Sequence, residues 1–261
     1  MQLIELIEIT DRLYYATSTS YKVIVCKQKE LIDIIGAEED VKDINRQVIN
    51  KCIQYWKDKG NTNATINAKL AYLSKLLTYA FQNEIITHKP YIPVMKVKIT
   101  KEKYLSDDEK AMMLKWCVTH NQQELERIIL IGLNTGLRIN NILSILPEHI
   151  ENNYIRVYEN KTNKPYSVPM NTVMQNIMKD FKPFTIKYNQ VYYIFNQMKK
   201  ELNLDENITI HTLRHTFCSD LIQKGVVLPV IQALANHKKI QTTMRYLHLS
   251  NKQLEDAVSV L

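Results

Sequence analysis

Residues 211–225 read HTLRHTFCSDLIQKG, and the reading of this stretch decides the chain. His211, Arg214 and His215 stand at i, i+3 and i+4, so on a helix they share one face and offer several hydrogen-bond donors there. Phe217, Leu221 and Ile222 follow as a packing stripe. Such a face suits an anion. Two histidines at i, i+4 can also hold a metal, but that needs a third ligand, and neither an H-E-x-x-H pattern nor a close cysteine pair supplies one.

Upstream, residues 124–134 form a strongly apolar helix that ends at Gly136, a residue suited to the left-handed turn after a helix. A new helix opens at Arg138, where Ile139, Ile142, Leu143 and Leu146 keep helical spacing and put Arg138 and Asn141 off the packed side. Tyr154 to Tyr158 and Pro165 to Val168 then alternate as two short β runs around the polar turn ENKTN, a hairpin with Lys161 at its tip. Helices fill residues 172–181 and 189–202. Downstream of the central stretch they recur at 229–235 and 242–247, and the terminal SNKQLEDAVSVL puts Leu254, Ala257, Val258 and Leu261 on one face.

The first hundred residues read as helices over 20–35, 39–59 and 64–83. In the last of these Ile66, Leu70, Leu73, Leu77 and Ala80 build one apolar stripe, with Asn67, Lys69, Ser74 and Lys75 off it and free to meet a partner. Residues 90–104, PYIPVMKVKITKEKY, lose the helical period and carry Lys96, Lys98, Lys101 and Lys103, as a basic linker would. Ser106 and Glu109 then form a capping box that opens the second domain.

At 261 residues the chain suffices for two domains with a core each. The net charge of +7 is uneven: residues 51–103 hold ten lysines against three acidic residues, whereas residues 1–50 hold six basic and nine acidic ones. An anionic partner beside the linker is the expectation. The four cysteines form no C-x-x-C pair and read as buried, reduced thiols. No apolar run approaches a membrane span, and MQLIELIEITDR lacks the basic start of a secretion signal. None of the five glycines belongs to G-x-x-x-x-G-K or G-x-G-x-x-G, which gives nucleotide loops no support.

Taken singly, each marker has an ordinary reading. Arg138 is a helix-start arginine, Lys161 a solvated turn residue, and Tyr246 one of fifteen tyrosines. In order and spacing, however, TGLRINNILSI, NKTNKPYSVPM, HTLRHTF and LANHKKIQTTMRYLH resemble the tyrosine recombinase (phage integrase) family. NATINAKLAYLSKLLTYAFQNEII is similar to the last helices of that family's core-binding domain.

The resemblance implies a mainly α chain. A helical core-binding domain over residues 1–95 and a basic linker over 96–104 precede a mixed α/β catalytic domain with a small antiparallel sheet over 105–261, the two domains closing round duplex DNA. It implies site-specific cleavage and rejoining through a 3′-phosphotyrosine, with Arg138, Lys161, His211, Arg214, His237 and Tyr246 as the catalytic set. It calls for no cofactor or metal. Arginine forks match the non-bridging phosphate oxygens, and His211 and His237 can add hydrogen bonds. A phenol near pKa 10 needs help to lose its proton, which His211 could give, and Lys161 would protonate the leaving 5′ oxygen. Asn67, Lys69, Lys75, Lys96, Lys98 and Lys101 are the expected DNA contacts, and His215 reads as a supporting or packing residue.

The implied partners are duplex DNA, three further copies docked through Leu254, Val258 and Leu261, and accessory DNA-bending proteins. The implied setting is the cytoplasm of a bacterium or phage-infected host. The length leaves little room for an additional arm-binding domain. Three positions depart from the pattern: Asn141 replaces the usual acid, Asn236 a glycine, and Tyr166 an arginine. A topoisomerase of type IB character and a DNA-binding protein without chemistry remain alternatives.

Overall fold

The computed structural model describes residues 1–18, 21–97, 103–158 and 164–246. It divides into two compact units, Met1–Thr100 and Lys101–Leu261.

The first unit is helical: α1 (Leu3–Tyr14), α2 (Tyr21–Ile35), α3 (Arg46–Asp58) and α4 (Asn63–Gln82), with a short 3-10 turn at Val41–Asp43. The expected α4 stripe is buried throughout, Ile66, Leu73, Leu77 and Ala80 having no exposed surface. Thr62 starts this helix by accepting a hydrogen bond from the backbone N–H of Thr65. Residues 39–59 are not one helix, because Asn45 caps α3 by accepting from the N–H groups of Gln47 and Val48. Helix α1 goes unassigned in the sequence although Leu3, Leu6, Ile7 and Thr10 carry its buried face at helical spacing. Its interspersed acids occupy the other side. Cys26 is exposed, contrary to expectation, because it lies off the Ile24, Gln28 and Leu31 face of α2.

The second unit runs α5 (Asp107–Thr119), α6 (Gln123–Thr135), α7 (Ile139–Leu143), then strands β1 (Ile150–Glu151), β2 (Tyr154–Tyr158) and β3 (Pro165–Pro169). After these come α8 (Thr172–Met178), α9 (Tyr188–Glu201), α10 (Ile210–Gln223), α11 (Leu228–Leu234) and α12 (Ile240–Met244). The capping box at the start of α5 is present, Ser106 N–H donating to Glu109 Oε2 and Glu109 N–H to Ser106 Oγ. The sheet is antiparallel in the order β1-β2-β3, with Ile155 opposite Val168. Ile155, Val157 and Val168 point into the core while Tyr154, Arg156 and Tyr158 face out, the alternation of a sheet covered on one side. The two-residue β1 is an addition to the expected hairpin.

Helix α10 packs on α6 and fills the middle of the unit. Gly132 permits the approach: a Cβ there would lie 3.1 Å from Leu213. At the end of α6, Gly136 takes the left-handed conformation (φ 64°), and a Cβ there would stand 2.4 Å from the Phe217 ring. Glycine is required twice over at this position.

Candidate active site

Arg138 caps α7 and keeps an exposed side chain, and its positive charge acts on His211, Arg214 and His237. Arg214 points inward from α10 and is only 2% exposed. Its Nη1 donates to the carbonyl oxygen of Gly136 at 2.7 Å, and its Nη2 donates to that of Ala235. These two carbonyls, each from the end of a different helix, fix the guanidinium plane and leave its remaining N–H groups for a ligand. Burial, followed by the charge of Arg138, pushes its pKa down to about 10, so it stays cationic at neutral pH. A cavity of about 280 Å³ beside it is lined by Arg214, His211, Tyr188, Tyr192 and Leu137.

His237 is buried, and its Nδ1 shares a hydrogen bond of 2.9 Å with the Thr243 hydroxyl. The loop that presents it turns at Asn236, whose φ of 48° matches the tolerance of asparagine for this region. Gln232 braces the loop by accepting from the His237 N–H on its carbonyl oxygen and donating from Nε2 to the His237 carbonyl. Tyr246 follows α12 in a turn, its N–H donating to the Thr243 carbonyl. The tyrosine is 8% exposed and packs with Phe217, Cys218, Ile231 and Ala235.

The Tyr246 hydroxyl meets His215 Nδ1 at 2.5 Å, and the His237 ring lies parallel to the tyrosine with centroids 6.4 Å apart. His211 sets its ring edge-to-face against His215 at 4.6 Å. Although His211 retains exposed surface, the protein crowded round it removes water, and with the charges of His215, Arg214 and Arg138 this pushes its pKa down to about 4. Burial, then Arg214 and Arg138, does the same to His237, also to about 4. Both imidazoles are therefore neutral at pH 7 and can accept as well as donate hydrogen bonds. Among the described residues no group of three or more His, Cys, Asp or Glu gathers as a metal site.

The structure thus gathers His211, Arg214, His237 and Tyr246, with Arg138 in electrostatic reach. Lys161 lies outside the described residues. His215 is what sequence reasoning underrates: its i+4 spacing from His211 is legible, but its contact with Tyr246 spans 31 positions of chain. Asn141 is expected off the packed side and is instead 3% exposed, because its Nδ2 donates to the Tyr166 hydroxyl at 3.0 Å. Two of the three departures from the family pattern therefore bond to each other.

The expected DNA contacts in the first unit need revision. Asn67 clips the chain after α4, donating to the Met95 carbonyl and accepting from the Met95 N–H. Lys69 is paired with Glu30 at 2.6 Å, with 12% of its side chain exposed, and donates to Asn61 Oδ1. Neither side chain is free for a phosphate. Lys75 lies over the rings of Tyr14 and Tyr15 yet remains exposed, as does Lys96. Lys98 and Lys101 lie outside the described residues, as do Leu254, Val258 and Leu261. Among the described residues no helix is long and apolar enough to cross a membrane.

Two family models match this chain, the phage integrase SAM-like domain over residues 15–99 and the phage integrase family over residues 181–253. The integrase of Escherichia phage P2 is 25% identical over 224 residues, which cover 83% of this chain and 65% of that protein. That of Escherichia phage 186 is 26% identical over 205 residues, covering 75% of this chain and 60% of that protein. The chain therefore spans less than two thirds of the length of these integrases. Among solved structures, the Tn1549 transposon integrase in complex with a circular intermediate DNA superposes with a TM-score of 0.84 at 21% identity, covering all of both chains. The lambda integrase tetramer bound to a Holliday junction gives 0.79 at 15%, over 97% of this chain and 81% of that one. The fold of the chain is that of these integrases, with a helical unit followed in the chain by a unit built on α10 and a small antiparallel sheet. By its motifs, its two matching domain models and this fold, the chain belongs to the tyrosine recombinase, or phage integrase, family.

Proposed function

We propose that the chain is a site-specific DNA strand transferase that cuts and rejoins duplex DNA through a 3′-phosphotyrosyl bond at Tyr246. The observation that carries this reading is the buried Tyr246 hydroxyl, held against His215 beside an arginine fixed by two backbone carbonyls. Arg138 and Arg214 supply charge for the non-bridging oxygens of a phosphodiester, where it becomes more negative during in-line attack. His211 and His237, neutral at pH 7, supply further hydrogen bonds. Lys161 protonates the leaving 5′ oxygen. The covalent bond stores the energy of the phosphodiester, so a 5′-hydroxyl can reseal it without nucleotide hydrolysis.

In this proposal residues 1–95 form a core-binding domain, residues 96–104 a basic linker and residues 105–261 the catalytic domain. Lys75, Lys96, Lys98 and Lys101 contact DNA phosphates. Four copies work on paired sites, exchanging the terminal stripe of Leu254, Val258 and Leu261, with DNA-bending proteins assisting in the cytoplasm. Support for assembly on DNA comes from the lambda integrase, solved as a dimer on a core site and as a tetramer on a Holliday junction.

The test incubates the protein with a pool of nicked duplexes of randomised sequence and recovers covalent adducts from a denaturing gel. A covalent adduct with wild type that vanishes with Tyr246→Phe is the expected result. No adduct from any duplex, or an undiminished one from Tyr246→Phe, refutes the reading.

A further inference from the structure

We infer that His215 is the base that takes the proton from Tyr246, a catalytic residue beyond the set assigned above; the inference rests on Tyr246 being the nucleophile. Two imidazoles pack against this tyrosine and a third stands against one of them, and the three are placed differently. His237 lies parallel to the Tyr246 ring, and its Nδ1 is engaged by Thr243. His211 addresses the ring of His215. His215 Nδ1 meets the hydroxyl itself at 2.5 Å, a direct contact with no room for an intervening water, so a proton can pass between the two atoms without a relay.

With the His215 proton on Nε2, the hydroxyl donates to Nδ1, which is the arrangement a base requires. Packing keeps that pairing in register. Tyr246 is enclosed by Phe217, Cys218, Ile231 and Ala235, and two of these neighbours, Phe217 and Cys218, stand on the same helix as His215. The base stands on α10 and the nucleophile packs in a cluster that includes residues of the same helix, at a surface from which most water is excluded.

The step balances. Attack forms the bond from Tyr246 Oη to phosphorus and breaks the bond from phosphorus to the 5′ oxygen. The phenolic proton passes to His215 Nδ1, and the 5′ oxygen takes its proton from a separate acid, the role proposed for Lys161. In rejoining, the 5′-hydroxyl returns that proton as it attacks, and His215 gives its own back to the departing phenolate. His211 is then left to hydrogen-bond the phosphate, which its exposed edge permits.

The test uses the full chain and the duplex that wild type captures from the nicked pool. His215→Asn keeps a polar atom near Nδ1 but cannot take the proton. We expect adduct formation to slow by about 10²–10⁴-fold with binding of the uncleaved duplex preserved. Replacing Tyr246 by a fluorinated tyrosine, whose phenol ionises more readily, should narrow that deficit by about tenfold or more, which a packing role for His215 would not do. A rate within about threefold of wild type, or a deficit of the same size with both phenols, overturns the inference while leaving Tyr246 as nucleophile. Loss of the nucleophile reading shows itself separately, as a wild-type adduct that is missing or survives in Tyr246→Phe. Should His215→Asn fail to fold, His215→Gly with added imidazole is read instead: rescue by imidazole supports the inference, and its absence in a folded variant overturns it.

Discussion

Gly136→Ala combines two costs that the structure separates. The residue sits at φ 64°, where a side chain with a Cβ costs about 1–2 kcal/mol. The added methyl would also stand 2.4 Å from Phe217 Cδ1 and 2.9 Å from Cε1, so the ring must shift, an overpacking cost of about 1–3 kcal/mol. The expected sum is about 2–5 kcal/mol, a fall on the order of 10 °C in the transition of the second unit. Gly225, in the same unit at φ 78° with nothing within 4 Å of its missing Cβ, isolates the backbone part, and Gly225→Ala should cost only about 1–2 kcal/mol. Phe217→Leu placed in the Gly136→Ala background should return most of the difference. Because the Gly136 carbonyl accepts from Arg214, adduct formation by Gly136→Ala should fall even below the unfolding midpoint. Urea unfolding of the three variants, followed by the covalent capture assay, measures both effects. Equal destabilisation by Gly136→Ala and Gly225→Ala would refute the steric reasoning.

Other outcomes follow from the same contacts. Unfolded imidazoles bind protons near pH 6.5, whereas folded His211 and His237 hold out to about 4, so folding stability is complete above pH 6.5 and falls as pH drops toward 4. At pH 5 the loss should be on the order of 1 kcal/mol per histidine, reduced by partial solvent access, and His211→Asn with His237→Gln should flatten the urea midpoint against pH. Tyr166→Phe leaves the buried Asn141 amide without its acceptor and should cost about 1–3 kcal/mol in urea unfolding. Lys69→Ala should destabilise the first unit by about 1–2 kcal/mol with DNA affinity within about threefold. Lys96→Ala should leave stability unchanged and lower the slope of log affinity against log salt by about one.

Features confined to a few neighbouring residues are legible in the amino-acid order itself. The α4 stripe, the Ser106 to Glu109 capping box and the left-handed Gly136 all depend on short-range spacing along the chain, and all are present. The fold can be recognised because Arg138, the H-x-x-R pair, His237 and Tyr246 keep their order along the chain. Partnerships across the fold are not legible in this way. Arg214 with Gly136 spans 78 positions, Asn141 with Tyr166 spans 25, and no periodicity encodes either. Lys69 and Asn67 illustrate the opposite error: polar residues off an apolar stripe read as free, whereas Glu30 and the chain after α4 engage them. Asn141 is misplaced by its spacing because a five-residue helix is too short for spacing alone to define its sides.

The central claim is that Tyr246 becomes joined to DNA. The most direct measurement is mass spectrometry of the captured adduct after nuclease trimming and proteolysis. The predicted result is a nucleotide remnant attached through phosphate to the peptide that contains Tyr246, absent from Tyr246→Phe. A remnant on any other tyrosine, or a captured protein whose peptides carry none, would contradict it.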